Sequence, residues 1–434
     1  MLSTKWRHLL KETVITFGIL ISSAMIGTIL LILVFLLPTD TMRENVARGT
    51  ALYNSEGVEA QWAEGYRSTK LDNNTDCIIL GNSVNPVTNA VQDAIRVSMT
   101  IYEENPDRLQ SLLDYVNHVE GKTFTVSYPR YWHGYLVIFK PLLVFFDFSD
   151  LRVINMMLQL ILTTYCMYLF VQKWKASYLV AFLGLLVVWN PVTIGLSFQY
   201  SSCFYITLIA IIILLRNKEY LHQHTNLIKY YFLCIGIITV YFDFLTYPFV
   251  TLGIPLSMVL VLEDDNTFLY KLKKIIVNSV DWGIGYAIMW IEKWIIASVI
   301  LKENIFLDGI SQVLIRSSSY SEGDKLTKWD CIKPQLETLT KWPYLLFFMG
   351  IFMLFLWKGI KGWQKRTRED IKVNFIEMIK DSIPFLLLCI YPFAWFAVAG
   401  NHSYVHPRFA YRELGIAVFA LILGATYSYE KHIK

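Results

Sequence analysis

The chain has 434 residues, of which 55% are hydrophobic and only 17% are charged. A soluble domain carries about 25% charged residues, so this composition excludes an ordinary soluble protein and indicates one embedded in a membrane. The net charge of +4 is small. No basic stripe with interleaved aromatic residues indicates a nucleic-acid partner, and no cysteine spacing indicates a zinc site.

The first hydrophobic run covers residues 13–37 and contains no charged residue. It is longer than the roughly 20 residues that span a bilayer and than the ~7–15 apolar residues of a signal peptide. No small-residue cleavage site follows it, so we expect a retained transmembrane helix. Lys5, Arg7 and Lys11 precede the run, which predicts a cytoplasmic N-terminus.

Nine further apolar blocks follow, and with the first run they predict about ten transmembrane helices in an all-α integral membrane protein. The blocks cover residues 152–172, 177–195, 203–216, 229–243, 248–262, 275–294, 343–360, 383–399 and 413–428. The loops that this topology assigns to the cytoplasm are basic, as the positive-inside rule requires. Their basic residues are Lys173, Lys175, Arg216, Lys218, Lys271, Lys273, Lys274, Lys358, Lys361, Lys365, Arg366 and Arg368, with Lys431, His432 and Lys434 in the tail. Both termini are therefore expected in the cytoplasm.

This topology divides the chain into five parts. They are a cytoplasmic tail with transmembrane helix 1 (1–37), an extracytoplasmic loop with interfacial helices (38–150), transmembrane helices 2–7 (151–300), a second extracytoplasmic loop (301–342), and helices 8–10 with a short outer His/Arg loop (343–434). The first loop is long enough to fold into a small subdomain. Cys77 and Cys331 fall in the two outer loops, where a disulfide is permitted.

The stretch before the second transmembrane helix is apolar yet rich in polar groups. It contains the interface-seeking aromatic residues Tyr131, Trp132 and Tyr135. Residues 136–148 are too short to span a bilayer and are interrupted by Pro141. We expect them to lie along the outer leaflet with Lys140 reaching towards lipid phosphates. The alternative is an elbow that only anchors the outer subdomain.

Ser149 and Asp150 form a candidate N-cap for the helix that follows, and Arg152 lies at its mouth. Further along, the sequence WNP at 189–191 marks the end of one helix. The polar turn QYSS at 199–202 precedes the next helix.

Taken in order, the first half of the chain resembles the GT-C superfamily of polytopic glycosyltransferases. The resemblance is carried by PTDTMRENVAR at 38–48, by YWHGYL at 131–136 with RVIN at 152–155, and by the helix pair around 189–202. Two features of that family are absent, because Thr41 follows Asp40 where members often have a second acidic residue, and the proline pair of the amphipathic helix is missing. The family takes sugars from polyprenyl-phosphate donors at the extracytoplasmic face.

The resemblance implies an enzyme of the plasma membrane that moves a sugar from a polyprenyl-phosphate donor to a cell-envelope glycan or lipid acceptor. Such transfer needs a base for the acceptor's proton and positive groups for the departing phosphate. Asp40, three residues past the first helix, is the candidate base, with Glu44 one turn further in reserve. The alternative role for Asp40 is to cap a helix over residues 41–53.

Four cation-capable residues between the last two helices, His402, His406, Arg408 and Arg412, suit a phosphate or pyrophosphate. We expect His133 and Arg152 to contribute to the same substrate site. The alternatives for the four are a solvated turn beside lipid headgroups, or metal binding by the two histidines. No metal ligand is assigned, and a divalent cofactor is left open.

A second acidic segment, LDNNTDCIILGNSVN at 71–85, contains Asp72, Asp76 and Asn82. Its residue types predict a surface loop of Asx turns, with donor or metal contacts as the alternative.

Two other functions remain open. A surface-polysaccharide polymerase or ligase is also polytopic, with a large outer loop and outward arginines. A lipid or oligosaccharide transporter would be expected to have paired charges at the bilayer midplane and related halves. The sequence shows few midplane charges and no symmetry between halves, which favours the transferase.

Overall fold

The computed structural model describes residues 4–262, 267–321, 323–363 and 368–432. Three of the basic residues behind the predicted orientation, Lys365, Arg366 and Lys434, lie outside these ranges. The described chain is almost entirely helical. Its strands form two small antiparallel pairs, β1 (Ser98–Tyr102) with β2 (Thr123–Ser127) and β3 (Tyr320–Ser321) with β4 (Asp324–Lys325).

A first long helix leads directly into a subdomain that contains the β1–β2 pair. The helix is α1 (Thr4–Val34), and the subdomain helices are α2 (Thr39–Arg48), α3 (Thr50–Glu56), α4 (Asn73–Val84), α5 (Ala90–Arg96), α6 (Arg108–Val116) and α7 (Leu136–Leu143), with a 3₁₀ turn at Arg67–Thr69. We call the side of the molecule on which they lie the subdomain end. Buried apolar residues of α1 pack with those of α2, α4 and α7 in one core, so the subdomain is joined to the membrane-spanning part along the end of α1.

The central part of the chain is a bundle of helices. They are α8 (Phe148–Lys173), α9 (Leu179–Trp189), α10 (Pro191–Leu196), α11 (Phe198–Arg216), α12 (Lys218–Gln223), α13 (Leu227–Phe242), α14 (Val250–Leu262) and α15 (Phe268–Leu301), with a 3₁₀ turn at Ala176–Tyr178. Helices α13 and α15 pack closely through glycines. A Cβ atom at Gly236 or Gly285 would lie 2.2 Å from a carbonyl oxygen of the other helix, so no larger residue fits there without separating the pair.

The last part returns to the subdomain end and then closes the bundle. Its helices are α16 (Ile305–Arg316), α17 (Lys328–Leu339), α18 (Trp342–Trp363), α19 (Arg368–Leu388), α20 (Tyr391–Val398), α21 (Gly400–Val405), α22 (Pro407–Ala410) and α23 (Leu414–His432), with a 3₁₀ turn at Tyr411–Glu413. The predicted His/Arg loop is therefore a run of short helices. We call residues 400–413 the cationic turn.

Seven helices within the described ranges are long and apolar enough to cross a membrane, which is consistent with an all-α membrane protein. They are Leu10–Val34, Phe148–Lys173, Phe198–Arg216, Phe268–Leu301, Trp342–Lys361, Ile376–Val398 and Pro407–His432. Three of the ten predicted crossings correspond to shorter apolar helices, Ala176–Trp189, Leu227–Phe242 and Val250–Leu262. At 1.5 Å per residue these three fall short of a full hydrocarbon core, so the count of ten is not established by length.

Several local predictions need correction. The cap of α8 is Asp147, whose side chain accepts the amide N–H of Asp150 at 3.0 Å while Asp150 accepts that of Asp147 in return. The sequence QYSS lies inside α11 and is not a turn. The predicted end of α9 is confirmed, because Asn190 adopts a left-handed conformation with φ of 54° before Pro191.

Lys140 does not reach towards lipid. Its side chain is fully buried, where Nζ donates to the carbonyl oxygen of Ser83 at 2.6 Å and lies over the ring of Phe35. Burial lowers the pKa of Lys140 to about 8. The lysine therefore joins α7 to α4 inside the subdomain.

The acidic segment 71–85 is not a surface loop. Most of it forms α4, and its buried residues include Asp72, Asp76 and Asn82. Asp72 caps α4 by accepting the amide N–H of Thr75. Asp76 accepts the amide N–H groups of Phe198 and Gln199, each at 3.1 Å, at the start of α11. The carboxyl oxygens at that position satisfy N–H groups that have no partner within their own helix, and so fix the subdomain on the bundle.

Cys77 and Cys331 do not pair, since all six cysteines are free.

Candidate functional site: an arginine-lined cavity at the subdomain end

A cavity of about 360 Å³ lies between α15, α16, α20 and the loop before α7. We call it the arginine cavity. Aromatic and aliphatic side chains form most of its wall, and two arginines are the charged residues that line it. Its lining residues are Arg130, Tyr131, Leu245, Tyr286, Ala287, Trp290, Ile291, Trp294, Gly309, Gln312, Val313, Arg316, Ser317, Trp395, Val398 and Ala399. Because five of these belong to the long span α15, the cavity extends from the subdomain into the apolar part of the bundle.

Arg130 and Arg316 are held by neighbours on different elements. Arg130 pairs with Asp308 of α16 at 3.1 Å, and its carbonyl oxygen accepts the indole N–H of Trp294. Arg316 donates to Nδ1 of His402 and to the hydroxyl of Tyr131, each at 2.8 Å. The Nε atom of each arginine is buried without a partner among the described residues. Each guanidinium therefore has one N–H donor that no described residue satisfies.

The contacts of His402 define its tautomer. Arginine can only donate, so Nδ1 of His402 accepts the bond from Arg316. Nε2 then carries the proton and donates to the carbonyl oxygen of Leu245 at 2.7 Å. Burial is the main cause that lowers the pKa of His402 well below its usual value, and the neighbouring His406 and Arg316 lower it further. His402 is thus neutral and positions Arg316, with no nitrogen left for a phosphate or a metal.

The two ring nitrogens of His133 are likewise both bonded within the protein. Its Nε2–H donates to the carbonyl oxygen of Tyr128 at 2.9 Å, and its Nδ1 accepts from the hydroxyl of Tyr135 at 2.7 Å, which in turn accepts from Asn82. Burial lowers the pKa of His133 to about 3. The ring is neutral and both nitrogens are bonded, so in this arrangement His133 offers a phosphate no free donor.

The loop that carries His133 requires a glycine. The amide N–H of Gly134 donates to the carbonyl oxygen of Tyr241 at 2.8 Å, and a Cβ atom at Gly134 would lie 2.4 Å from that oxygen and from the tyrosine ring. His133 itself adopts a φ of 56°. The close approach to α13 thus sets the position of the aromatic residues that precede and follow this glycine.

His406 is the histidine of the cationic turn with an unused ring nitrogen. Its ring is stacked on Phe409 and lies 4.9 Å from the ring of His402, and its Nδ1 is buried without a partner within the described chain. Burial, then the charges of Arg408 and Arg316, lower the pKa of His406 to about 4. At neutral pH this ring is therefore uncharged, with one nitrogen that no described residue bonds.

The two arginines of the cationic turn have different surroundings. Arg408 pairs with the buried Asp72 at 3.3 Å and with the exposed Glu59 at 3.2 Å. Arg412 is fully buried, donates to the carbonyl oxygens of Trp189 and Arg408, and lies over the ring of Tyr200. Arg408 therefore faces an acidic group at the start of α4, whereas Arg412 is held inside the protein.

Arg152 belongs to the joint between the subdomain and the bundle. It donates to Glu56 at 2.6 Å and to the side-chain oxygen of Asn73 at 2.9 Å, and it lies over the ring of Phe148. Its charge also acts on the buried Asp76. These contacts make Arg152 part of the structure that fixes α3 and α4 on α8.

Asp40 and Glu44 are exposed on α2. The helix begins at Thr39 with Pro38 as its cap residue, so Asp40 lies in the first turn and is not the cap. Burial is the main cause that raises the pKa of Tyr115, and the charge of Asp40 raises it further, so Asp40 lies near this phenol. Tyr115 bonds to Val84 at the far end of α4, while Arg408 pairs with Asp72 at the near end.

The two ends of α4 are separated by about 18 Å, since twelve residues rise 1.5 Å each. The described contacts therefore do not bring Asp40 to the cationic turn.

No group of three or more His, Cys, Asp or Glu side chains that could hold a metal ion is found in the ranges that the structure describes. A scan against protein-family models gave no match, and searches of curated proteins and of solved structures gave no significant match.

Sequence reasoning overlooked Arg130 and Arg316. Arg130 could have been noticed, because it begins the aromatic sequence RYWHGY. Arg316 could not, because it lies at the end of an amphipathic helix with no local signal of function.

Proposed function

We propose that this chain is a membrane glycosyltransferase of the GT-C type, which moves a sugar from a polyprenyl-phosphate donor to a cell-envelope glycan or lipid acceptor. The observation that carries the proposal is the arginine cavity. Its lining is largely aromatic and apolar, and Arg130 and Arg316 are the charged residues among those that line it. In this proposal the hydrocarbon tail of an amphiphile packs against the apolar lining, and the two guanidinium groups are the positive charges that its phosphate head meets.

The chemistry assigned to the site is a single substitution at the anomeric carbon. A hydroxyl oxygen of the acceptor forms a bond to that carbon, and the bond between the carbon and the phosphate oxygen breaks. The electron pair leaves with the polyprenyl phosphate, whose growing negative charge the guanidinium groups stabilise. A carboxylate takes the acceptor's proton.

Three carboxylates are candidates for that base. The sequence favours Asp40, with Glu44 in reserve, and both are accessible on α2. The structure adds Asp72, because it pairs with Arg408 beside the cationic turn. Burial raises the pKa of Asp72, and a more basic carboxylate is a better proton acceptor.

In this proposal the chain crosses the plasma membrane ten times, with both termini in the cytoplasm and the subdomain outside. The three shorter apolar helices then cross with their ends extended by neighbouring turns. The basic loops listed from the sequence support this orientation. Membrane lipids, the lipid-linked donor and the acceptor are the partners, with no nucleic acid.

The proposal is tested with purified protein in lipid vesicles and isoprenyl-phosphate sugars that carry a radiolabel. We expect labelled sugar to move to an acceptor fraction from cell envelopes, and an Arg130→Gln/Arg316→Gln variant to lose that transfer while remaining folded. Folded wild-type protein that consumes none of the donors, or equal transfer by the double variant, would refute the proposal.

The same assay separates the alternatives. A polymerase or ligase would extend or transfer an oligosaccharide from an isoprenyl diphosphate carrier. A transporter would move the labelled lipid across the vesicle without breaking a covalent bond. Either result would replace the transferase assignment.

A further inference from the structure

A second cavity, of about 450 Å³, lies between α7, α8, α11 and α13. We call it the apolar groove. Its few polar side chains already bond to one another or to the backbone. Asn155 donates to the hydroxyl of Ser201 at 3.0 Å and to the carbonyl oxygen of Gly195, and it accepts from Tyr205 at 2.6 Å. What the groove offers a ligand is therefore apolar surface.

With the helices crossing the membrane as proposed above, the groove opens to the hydrocarbon region. Its lining residues Leu158, Ile209 and Ile238 belong to apolar helices and have 44%, 47% and 43% of their surfaces exposed. A soluble polysaccharide or peptide cannot reach such a surface, because it would have to enter the bilayer core. A hydrocarbon chain dissolved in the membrane can.

A thin aromatic partition separates the apolar groove from the arginine cavity. Phe244 is stacked on Tyr131, which lines the arginine cavity, with ring centroids 4.6 Å apart. The same ring lies 6.2 Å from that of Tyr135, which lines the groove. The loop 130–135 thus forms part of the wall of both cavities.

From this arrangement we infer that the apolar groove holds the hydrocarbon chain of the second substrate, so that the acceptor is itself lipid-linked. This inference rests on the proposed function, in which the arginine cavity holds the donor. Two chains in the two cavities place both polar heads at the loop 130–135, as transfer between them requires. The chain of the acceptor is an acyl or an isoprenoid chain, since the apolar lining is common to both.

The test uses photo-crosslinking of purified protein in vesicles, with the labelled peptides located by mass spectrometry. One probe is an isoprenyl monophosphate and the other a monohexosyl diacylglycerol, each with a diazirine in its chain. Phosphatidylcholine with the same diazirine reports ordinary lipid contact. We expect the phosphate probe to label the arginine cavity. The acyl probe labels the groove if the acceptor chain is acyl, and the isoprenyl probe labels both cavities if it is isoprenoid.

Two pairs of variants test the two cavities, and each pair consists of one substitution that fills the cavity and one control substitution that does not. Ile209→Trp fills the groove, whereas Ile213→Trp changes an equally lipid-exposed residue one turn further on α11 that does not line it. Val313→Trp fills the arginine cavity, and Leu314→Trp is its control on α16. We expect Ile209→Trp to reduce groove labelling about tenfold while the other three variants leave it unchanged.

The outcomes separate this inference from the proposed function. The inference would be overturned if the probes label the arginine cavity but either do not label the groove or label it equally in the wild type and in Ile209→Trp. The proposed function would then still stand. Groove labelling by phosphatidylcholine as strong as by the probes would overturn the inference too, because the position would then hold ordinary membrane lipid. If the phosphate probe does not label the arginine cavity of the wild-type protein while the groove is labelled, the proposed function is refuted instead.

Discussion

Arg316 donates to Nδ1 of His402 and to the hydroxyl of Tyr131 over equal distances of 2.8 Å. One side chain thereby joins the end of α16, the first turn of α21 and the loop before α7 around one cavity. These segments are more than 80 residues apart in the sequence. The guanidinium is suited to this role because its donors point in several fixed directions at once.

We predict that Arg316→Lys lowers sugar transfer in the assay described above by about one to two orders of magnitude. A lysine keeps the charge but lacks the planar fork that reaches His402, Tyr131 and a phosphate together. The variant should raise the KM for the donor, while its thermal midpoint of unfolding stays close to that of the wild type. Arg96→Lys is the matched control, because Arg96 pairs with an exposed glutamate outside the cavity. Equal losses in both variants would contradict the role assigned to Arg316.

His402 and His406 are expected to respond differently to replacement by alanine. His402→Ala leaves a donor of Arg316 and the carbonyl oxygen of Leu245 without a partner. Each unsatisfied buried group costs about 1–3 kcal/mol, so the thermal midpoint should fall by several degrees. His406→Ala removes a ring whose Nδ1 has no partner in the described structure. It should lower transfer with a smaller loss of stability, and the reverse ranking would contradict these assignments.

The membrane helices were predictable because each is a local run of apolar residues whose signal does not depend on the rest of the chain. Every predicted block falls on helical, largely apolar chain, although block 177–195 is divided between α9 and α10 and block 383–399 between α19 and α20. What length alone does not establish is whether the three short helices cross the membrane. The signal in the sequence is hydrophobicity, and hydrophobicity cannot distinguish a full crossing from a short buried helix.

The roles of polar residues were less predictable, because partners distant in sequence decide them. Asp76 was expected on a surface, yet it binds backbone groups of α11 more than 120 residues away. Lys140 was expected at lipid phosphates and is buried against Ser83. His133 and His402 were expected to bind phosphate, and each instead has both nitrogens bonded within the chain. In each case the partner that decides the role of the residue is supplied by the fold.

The identity of the base is tested by two carboxamide variants, Asp40→Asn and Asp72→Asn. Each change removes the proton acceptor with little change in size. If the carboxylate beside the cationic turn is the base, Asp72→Asn lowers turnover about 100-fold or more and Asp40→Asn retains near-wild-type turnover. Because Asp72 also caps α4, the thermal midpoint of each variant must be measured alongside. Loss of turnover only in Asp40→Asn would return the assignment to the residue that the sequence favours.

Stability should fall as pH rises through the range in which Asp76 titrates. Burial raises the pKa of Asp76 from an ordinary 3.8 to about 7, against the opposing effects of Arg152 and the N–H groups of α11. Between about pH 4 and pH 7 the folded protein therefore holds a proton that the unfolded chain has released. The contribution is fully present below pH 4 and lost above pH 7.

With about 1.4 kcal/mol for each pH unit, the loss across this window is on the order of 4 kcal/mol at most. Thermal unfolding in detergent micelles between pH 5 and pH 8 should show the midpoint decrease. In Asp76→Asn the side chain has no proton to lose, so the midpoint should vary less over the same range. Asp72, whose pKa burial also raises, is present in both proteins and cannot explain a difference between them. If the two pH profiles run parallel, Asp76 is ionised in the folded protein throughout, and its bonds to α11 are those of a carboxylate.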